Sequence, residues 1–67
     1  MNLSYEKLWK LLIKRDMNKR DLSRIAGLSH TTVAKLTKNE SVTTDTLLKI
    51  CTALDCDISD IAEIEKN

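Results

Sequence analysis

Apolar and polar positions along this chain fall into five short helical patterns, each opened by the same signal. A capping residue is preceded by an apolar residue and followed, four positions on, by another. Ser4 lies between Leu3 and Leu8, Asn18 between Met17 and Leu22, and Ser29 between Leu28 and Val33. Thr43 lies between Val42 and Leu47, and Asp57 between Cys56 and Ile61. This is the helix N-cap with its hydrophobic staple: the side-chain oxygen takes an orphan backbone N–H, and the apolar pair fixes the angle of approach. Asp21 and Asp60, three residues after their caps, add partial capping boxes. Five caps predict five helices, over about 5–15, 19–26, 30–38, 44–54 and 58–62.

The faces follow from the 3.6-residue period. In the first helix Tyr5, Leu8, Trp9, Leu12 and Ile13 form one stripe, with Trp9 expected as the largest buried surface. In the second, Leu22, Ile25 and Ala26 face inward, and Gly27 stands where a helix needs a left-handed residue. Leu28 plugs the corner. Val33 and Leu36 turn the third helix to the core, and Asn39 ends it in place of glycine. Leu47, Leu48, Ile50, Cys51 and Leu54 make the fourth strongly apolar. Ile58, Ile61 and Ile64 either complete the core or are shared with a second subunit. The segments Met1-Asn2-Leu3 and Glu63-Ile64-Glu65 can pair as short strands. The whole, 1–67, reads as one compact all-α domain.

Composition agrees with that reading. Sixty-seven residues with no proline and one glycine suit helices better than a sheet, which needs more turn residues. A chain this short buries a small core and is marginally stable. Two cysteines, Cys51 and Cys56, with one distant histidine do not make a zinc site. They suit a reduced, cytoplasmic protein. No signal peptide or membrane-length apolar run is visible. Asp57 reads as a cap, and Asp55, Asp57 and Asp60 lack the spacing of a calcium loop. No catalytic constellation appears, so no enzyme, cofactor, metal or small-molecule ligand is expected.

Charge adds a direction. Residues 1–38 carry nine basic and three acidic groups, net +6, and residues 39–67 carry two basic and seven acidic groups, net −5. A basic half suggests a face for a polyanion, although segregation along the chain need not be segregation in space. On the third helix His30, Thr31, Ala34, Lys35 and Lys38 share one face with no acid and no large apolar residue.

Leu22, Ala26, Gly27, Leu28, Ser29, Val33 and Leu36 match the pattern L-x-x-x-A-G-[VIL]-S-x-x-x-[VI]-x-x-[IL]. In this the chain resembles the Cro/repressor-type, or lambda-repressor-like, helix-turn-helix family. The segment VTTDTLLKICTALDCDISDI is similar to the family's fourth and fifth helices, so the resemblance runs from the first helix to Ile61. It implies a five-helix DNA-binding domain whose third helix lies in the major groove. By position it makes His30, Thr31 and Lys35 base-reading candidates, with Thr32 reading a base or a phosphate. It makes Asn18, Lys19, Arg20 and Lys38 phosphate contacts. Lysine can donate to guanine O6 and N7, and threonine can bond a base or set its methyl against thymine. The chain departs from the family at Lys19, where many members have glutamine, and at Ser23, where many have alanine. It departs again at Thr37-Lys38-Asn39, in place of Glu-x-Gly.

The expected function is a sequence-specific, double-stranded DNA-binding transcriptional regulator. It is expected to be a repressor, and a homodimer on a palindromic operator. The alternative is a protein-interaction module on the same fold, such as an antitoxin or an accessory factor that acts with a partner. The acidic, isoleucine-rich second half motivates it.

Overall fold

Four helices and a two-stranded ribbon make up the chain, in a computed structural model that describes residues 2–66. In order they are β1 (Asn2–Ser4), α1 (Glu6–Lys14), α2 (Lys19–Ala26), α3 (His30–Thr37) and α4 (Thr44–Leu54). A 3₁₀ turn, Ile58–Asp60, and β2 (Glu63–Glu65) complete it. β1 and β2 are antiparallel, with Leu3 opposite Ile64. The strand pairing expected of the two ends is therefore present, although Met1 lies outside the described residues. The expected fifth helix is not. Asp57 caps only a single 3₁₀ turn, because the chain must leave it at once to place Ile61 in the core and reach β2.

The N-caps of α2, α3 and α4 form as the pattern requires, whereas the N-cap position of α1 is Tyr5 and not the expected Ser4. Asn18 Oδ1 accepts the Asp21 N–H at 2.8 Å, and Asp21 Oδ2 accepts the Asn18 N–H at 3.1 Å. Ser29 Oγ accepts from Thr32 N–H at 3.1 Å, and Thr43 Oγ1 from Thr46 N–H at 3.2 Å. Ser4 Oγ accepts from Glu6 N–H, but α1 starts one residue later than expected. Tyr5 is held out of it. Its N–H donates to Asn39 Oδ1 at 3.1 Å and its hydroxyl to the Glu40 carbonyl at 2.8 Å. Burial raises the Tyr5 hydroxyl above the ordinary phenol pKa, and a Val42 backbone hydrogen bond partly offsets this. The start of the chain is thus pinned to the end of α3.

Every helix also ends in one way. Asp16, Gly27, Asn39 and Asp55 all have positive φ, between 51° and 67°. The next residue then donates its N–H five positions back: Met17 to Leu12, Leu28 to Ser23, Glu40 to Lys35, and Cys56 to Cys51. This is the Schellman closure, which satisfies carbonyls that the helix leaves unpaired. Three connections share a format: a left-handed residue, an apolar residue, then a cap. They read Asp16-Met17-Asn18, Gly27-Leu28-Ser29 and Asp55-Cys56-Asp57. Met17, Leu28 and Cys56 each pack against the core, so one apolar side chain closes one helix and staples the next.

The core is smaller than the sequence pattern suggests. Tyr5, Leu8, Leu12, Leu22, Ala26, Leu36, Ile50, Cys51, Leu54 and Ile61 are buried. Ile13 is 77% exposed, because it lies about 100° beyond Leu12 around α1 and past the arc its neighbours cover. Leu11, on the other side, packs against the core instead. Trp9 is only half-buried at the margin of that stripe, not its centre. Ile25, Leu48, Ile58 and Ile64 are likewise exposed. Val33 is half-buried, while Leu36 is fully enclosed. No described helix is long and apolar enough to cross a membrane.

A Cβ added at Gly27 meets nothing within 4 Å, so only its φ of 67° demands glycine. Gly27→Ala should therefore cost about 1–2 kcal/mol in urea unfolding, the left-handed penalty alone. Gly27→Asn should cost less, as Asn39 adopts the same left-handed conformation. An Ala variant as stable as the native chain would contradict this account of the turn.

Candidate nucleic-acid interface

α2 and α3 are joined by Gly27-Leu28-Ser29, and the joint is rigid on both sides. The Ser23 carbonyl accepts the N–H of both Gly27 and Leu28, and the Ser23 hydroxyl donates to the Leu28 carbonyl at 2.9 Å. The serine that stands where the family has alanine therefore ties the turn that α3 leaves from. Sequence spacing gave no hint of this role, because the hydroxyl acts on a residue beyond its own helix.

His30, Thr31, Lys35 and Lys38 are exposed, the last just past the final residue of α3. Thr32 is half-buried, and its hydroxyl shares a hydrogen bond with Ser29 Oγ at 2.9 Å, so part of its capacity is spent on the cap. Asn18, Lys19 and Arg20 are exposed at the start of α2. Asn18 also forms the cap of α2. Lys19, Arg20, Ser23, His30 and Val33 line a shallow groove of about 300 Å³ between the two helices. The structure thus brings Lys19, Arg20 and His30 together on one α2–α3 surface.

Electrostatics sort the cations. Lys7 pairs with Glu63 at 3.8 Å, Lys10 with Glu6, Arg24 with Asp21, and Lys49 with Asp45. Arg15 donates to the Leu54 carbonyl. Among the described residues Lys19, Arg20, Lys35 and Lys38 have no carboxylate partner, and α3 contains no acid. Unpaired cations on an acid-free face are what a polyphosphate chain requires. A larger cleft lies elsewhere, about 560 Å³ between α1 and the Asp55–Asp60 segment. That is no objection, since a helix that enters a DNA groove is convex. Cys56 borders this cleft; burial, reinforced by Cys51, pushes its thiol up to about 11, so little reactive thiolate exists near neutral pH.

Lys19 is placed by contacts that the sequence did not announce. Its ammonium lies 4.5 Å from the centroid of the Trp9 ring and 3.1 Å from Thr37 Oγ1. Thr37 in turn donates to the Val33 carbonyl at 3.0 Å. Where many members of the family have glutamine, Lys19 here links α2 to α3 as a donor. Trp9, Ser23 and Thr37 are the residues of this surface that sequence reasoning missed. Trp9 read as core because its spacing fits the stripe, and no local spacing links it to Lys19.

Two helices joined by a three-residue turn, with an unpaired basic surface, define a helix-turn-helix DNA-binding domain. The family model of the Cro/C1-type HTH DNA-binding domain matches residues 7–67. The chain belongs to that family. Its structure is also similar to the crystal structure of the transcriptional regulator VanUg, with a TM-score of 0.90 and 55% sequence identity. The match covers 92% of this chain and 83% of the other. No curated protein matches the chain.

Replacing Asn18 by alanine removes the acceptor of the Asp21 N–H, the side-chain half of the capping box at the start of α2, while the backbone N–H at position 18 can still donate to Asp21 Oδ2. Thermal or urea unfolding should show a loss of about 1 kcal/mol. A loss indistinguishable from zero would mean that water satisfies this helix end equally well.

Proposed function

We propose that this chain is a sequence-specific, double-stranded DNA-binding transcriptional regulator that reads the major groove with α3. One observation carries the reading. The exposed face of α3 bears no acid, and among the described residues the cations around it, Lys19, Arg20, Lys35 and Lys38, have no carboxylate partner. The similarity to a transcriptional regulator supports it.

His30, Thr31 and Lys35 read base edges, with Thr32 at a base or the adjoining phosphate. Lysine donates to guanine, and the threonine methyl suits thymine. Asn18, Lys19 and Arg20 hold one phosphate strand at the start of α2, where the helix dipole and free N–H groups also favour an anion. Lys38 holds the backbone at the far end of α3. One domain spans one half-site, so the functional unit is a homodimer on a palindromic operator with half-sites about 34 Å apart. A cytoplasmic protein bound in this way blocks a promoter by occupying it, which makes repression the simpler outcome.

A second reading, a protein-interaction module such as an antitoxin or accessory factor, is favoured by one feature. Ile25 and Leu48, 44% and 62% exposed, flank an open apolar groove with Ala26 and Ala53. Binding of duplex DNA by the isolated chain separates the two, since an accessory module meets DNA only through its partner.

Selection of bound sites from random duplex DNA should yield a palindromic consensus. Against that consensus Lys35→Ala should cost about 1–3 kcal/mol and relax one base position in each half-site. Affinity should fall steeply with salt. A Lys35→Ala protein with native affinity and an unaltered consensus would rule out this docking.

A further inference from the structure

We propose that Trp9 is a positioning residue for DNA-backbone contact. Its ring and the Thr37 hydroxyl hold the Lys19 ammonium so that a remaining N–H is presented to a phosphate. The inference rests on the DNA-binding function proposed above and adds to it a residue from outside the helix pair.

The geometry has three parts. The Lys19 ammonium lies 4.5 Å from the Trp9 ring centroid, within the range of a cation–π contact. It donates to Thr37 Oγ1 at 3.1 Å. That hydroxyl spends its own proton on the Val33 carbonyl, which fixes its lone pairs toward the lysine. An ammonium has three donors and no acceptor. One goes to Thr37, the ring face occupies a second direction, and the side chain is exposed. The donor that is left faces no carboxylate among the described residues. A lysine on a free surface loses rotamer freedom when it grips a phosphate. Here the ring on α1 and the hydroxyl on α3 have already ordered it. The half-burial of Trp9 is then accounted for: its inner part packs on the core while its face supports the cation.

The test titrates a mixed-sequence DNA duplex, at several salt concentrations, against the native chain, Lys19→Met, Trp9→Phe and Trp9→Leu. A phosphate contact is independent of sequence, so no operator is needed. Lys19→Met should lower the slope of log affinity against log salt by about 0.9, one phosphate contact. Trp9→Leu should lower the slope in the same sense and weaken binding about threefold to tenfold, the scale of one cation–π contact. Trp9→Phe keeps a ring and should stay near the native values. Because Trp9 is the only tryptophan, its emission gives a second readout that needs no aromatic substitution. Lys19→Met should change the emission of the free protein and remove the change that duplex induces in the native chain. If Trp9→Leu fails to fold, the emission result and the Lys19→Met slope decide. Native affinity and slope in Trp9→Leu would overturn the proposal, as would equal losses in Trp9→Phe and Trp9→Leu, which would mark a packing role. A native slope in Lys19→Met would overturn it too. A native chain that binds no duplex removes the function itself, an outcome distinct from all of these.

Discussion

A helix can be followed at once by another only if its last turn closes on itself, and this chain meets that constraint four times with a left-handed residue. Asp16, Gly27, Asn39 and Asp55 each reverse the backbone, and the next residue bonds back across the turn. The reversal satisfies carbonyls that would otherwise face a thin apolar core. It also points the following apolar side chain inward, where Met17, Leu28 and Cys56 pack. The angle between α2 and α3, and so the presentation of His30, Thr31 and Lys35, follows from the turn at Gly27 and its lock at Ser23.

The same economy governs the charges. The acidic second half of the chain is not a separate acidic region. It folds back so that Glu63 meets Lys7, and the Ser59 carbonyl accepts from the same lysine at 3.2 Å. Surface pairs of this kind add little stability, of the order of 0–1 kcal/mol. Their consequence is spatial: Lys7 and Lys10 of α1 have carboxylate partners, while among the described residues Lys19, Arg20, Lys35 and Lys38 have none. The +6 of the first half therefore overstates the basic surface, and the part that remains is concentrated where the helix pair needs it.

Tyr5 and Trp9 show how the first helix serves the third without touching its exposed face. Tyr5 ties the start of α1 to Asn39 and Glu40, just beyond α3. Trp9 supports Lys19, which bonds to Thr37 at the last residue of α3. The α2–α3 surface is thus braced at its far end from two directions, by contacts ten or more residues apart in sequence.

Local signals in the sequence determined the caps at Asn18, Ser29 and Thr43, the break at Gly27, the left-handed Asn39 and the inward Leu22, Leu36, Ile50 and Leu54. Each of these depends on neighbours within a turn or two, so spacing alone reveals it. The exposed basic face of α3 was legible for the same reason, since a helix fixes which residues share a side. Tertiary structure decided the rest. It reduced the fifth helix to a 3₁₀ turn, because the chain had to reach β1, and it left Ile13, Ile25 and Leu48 exposed, because a small domain has too few neighbours to cover every apolar position. It made left-handed turns of Asp16 and Asp55, residues that tolerate that conformation without advertising it. It also set Trp9 over Lys19, a contact between two helices whose relative placement no periodicity encodes.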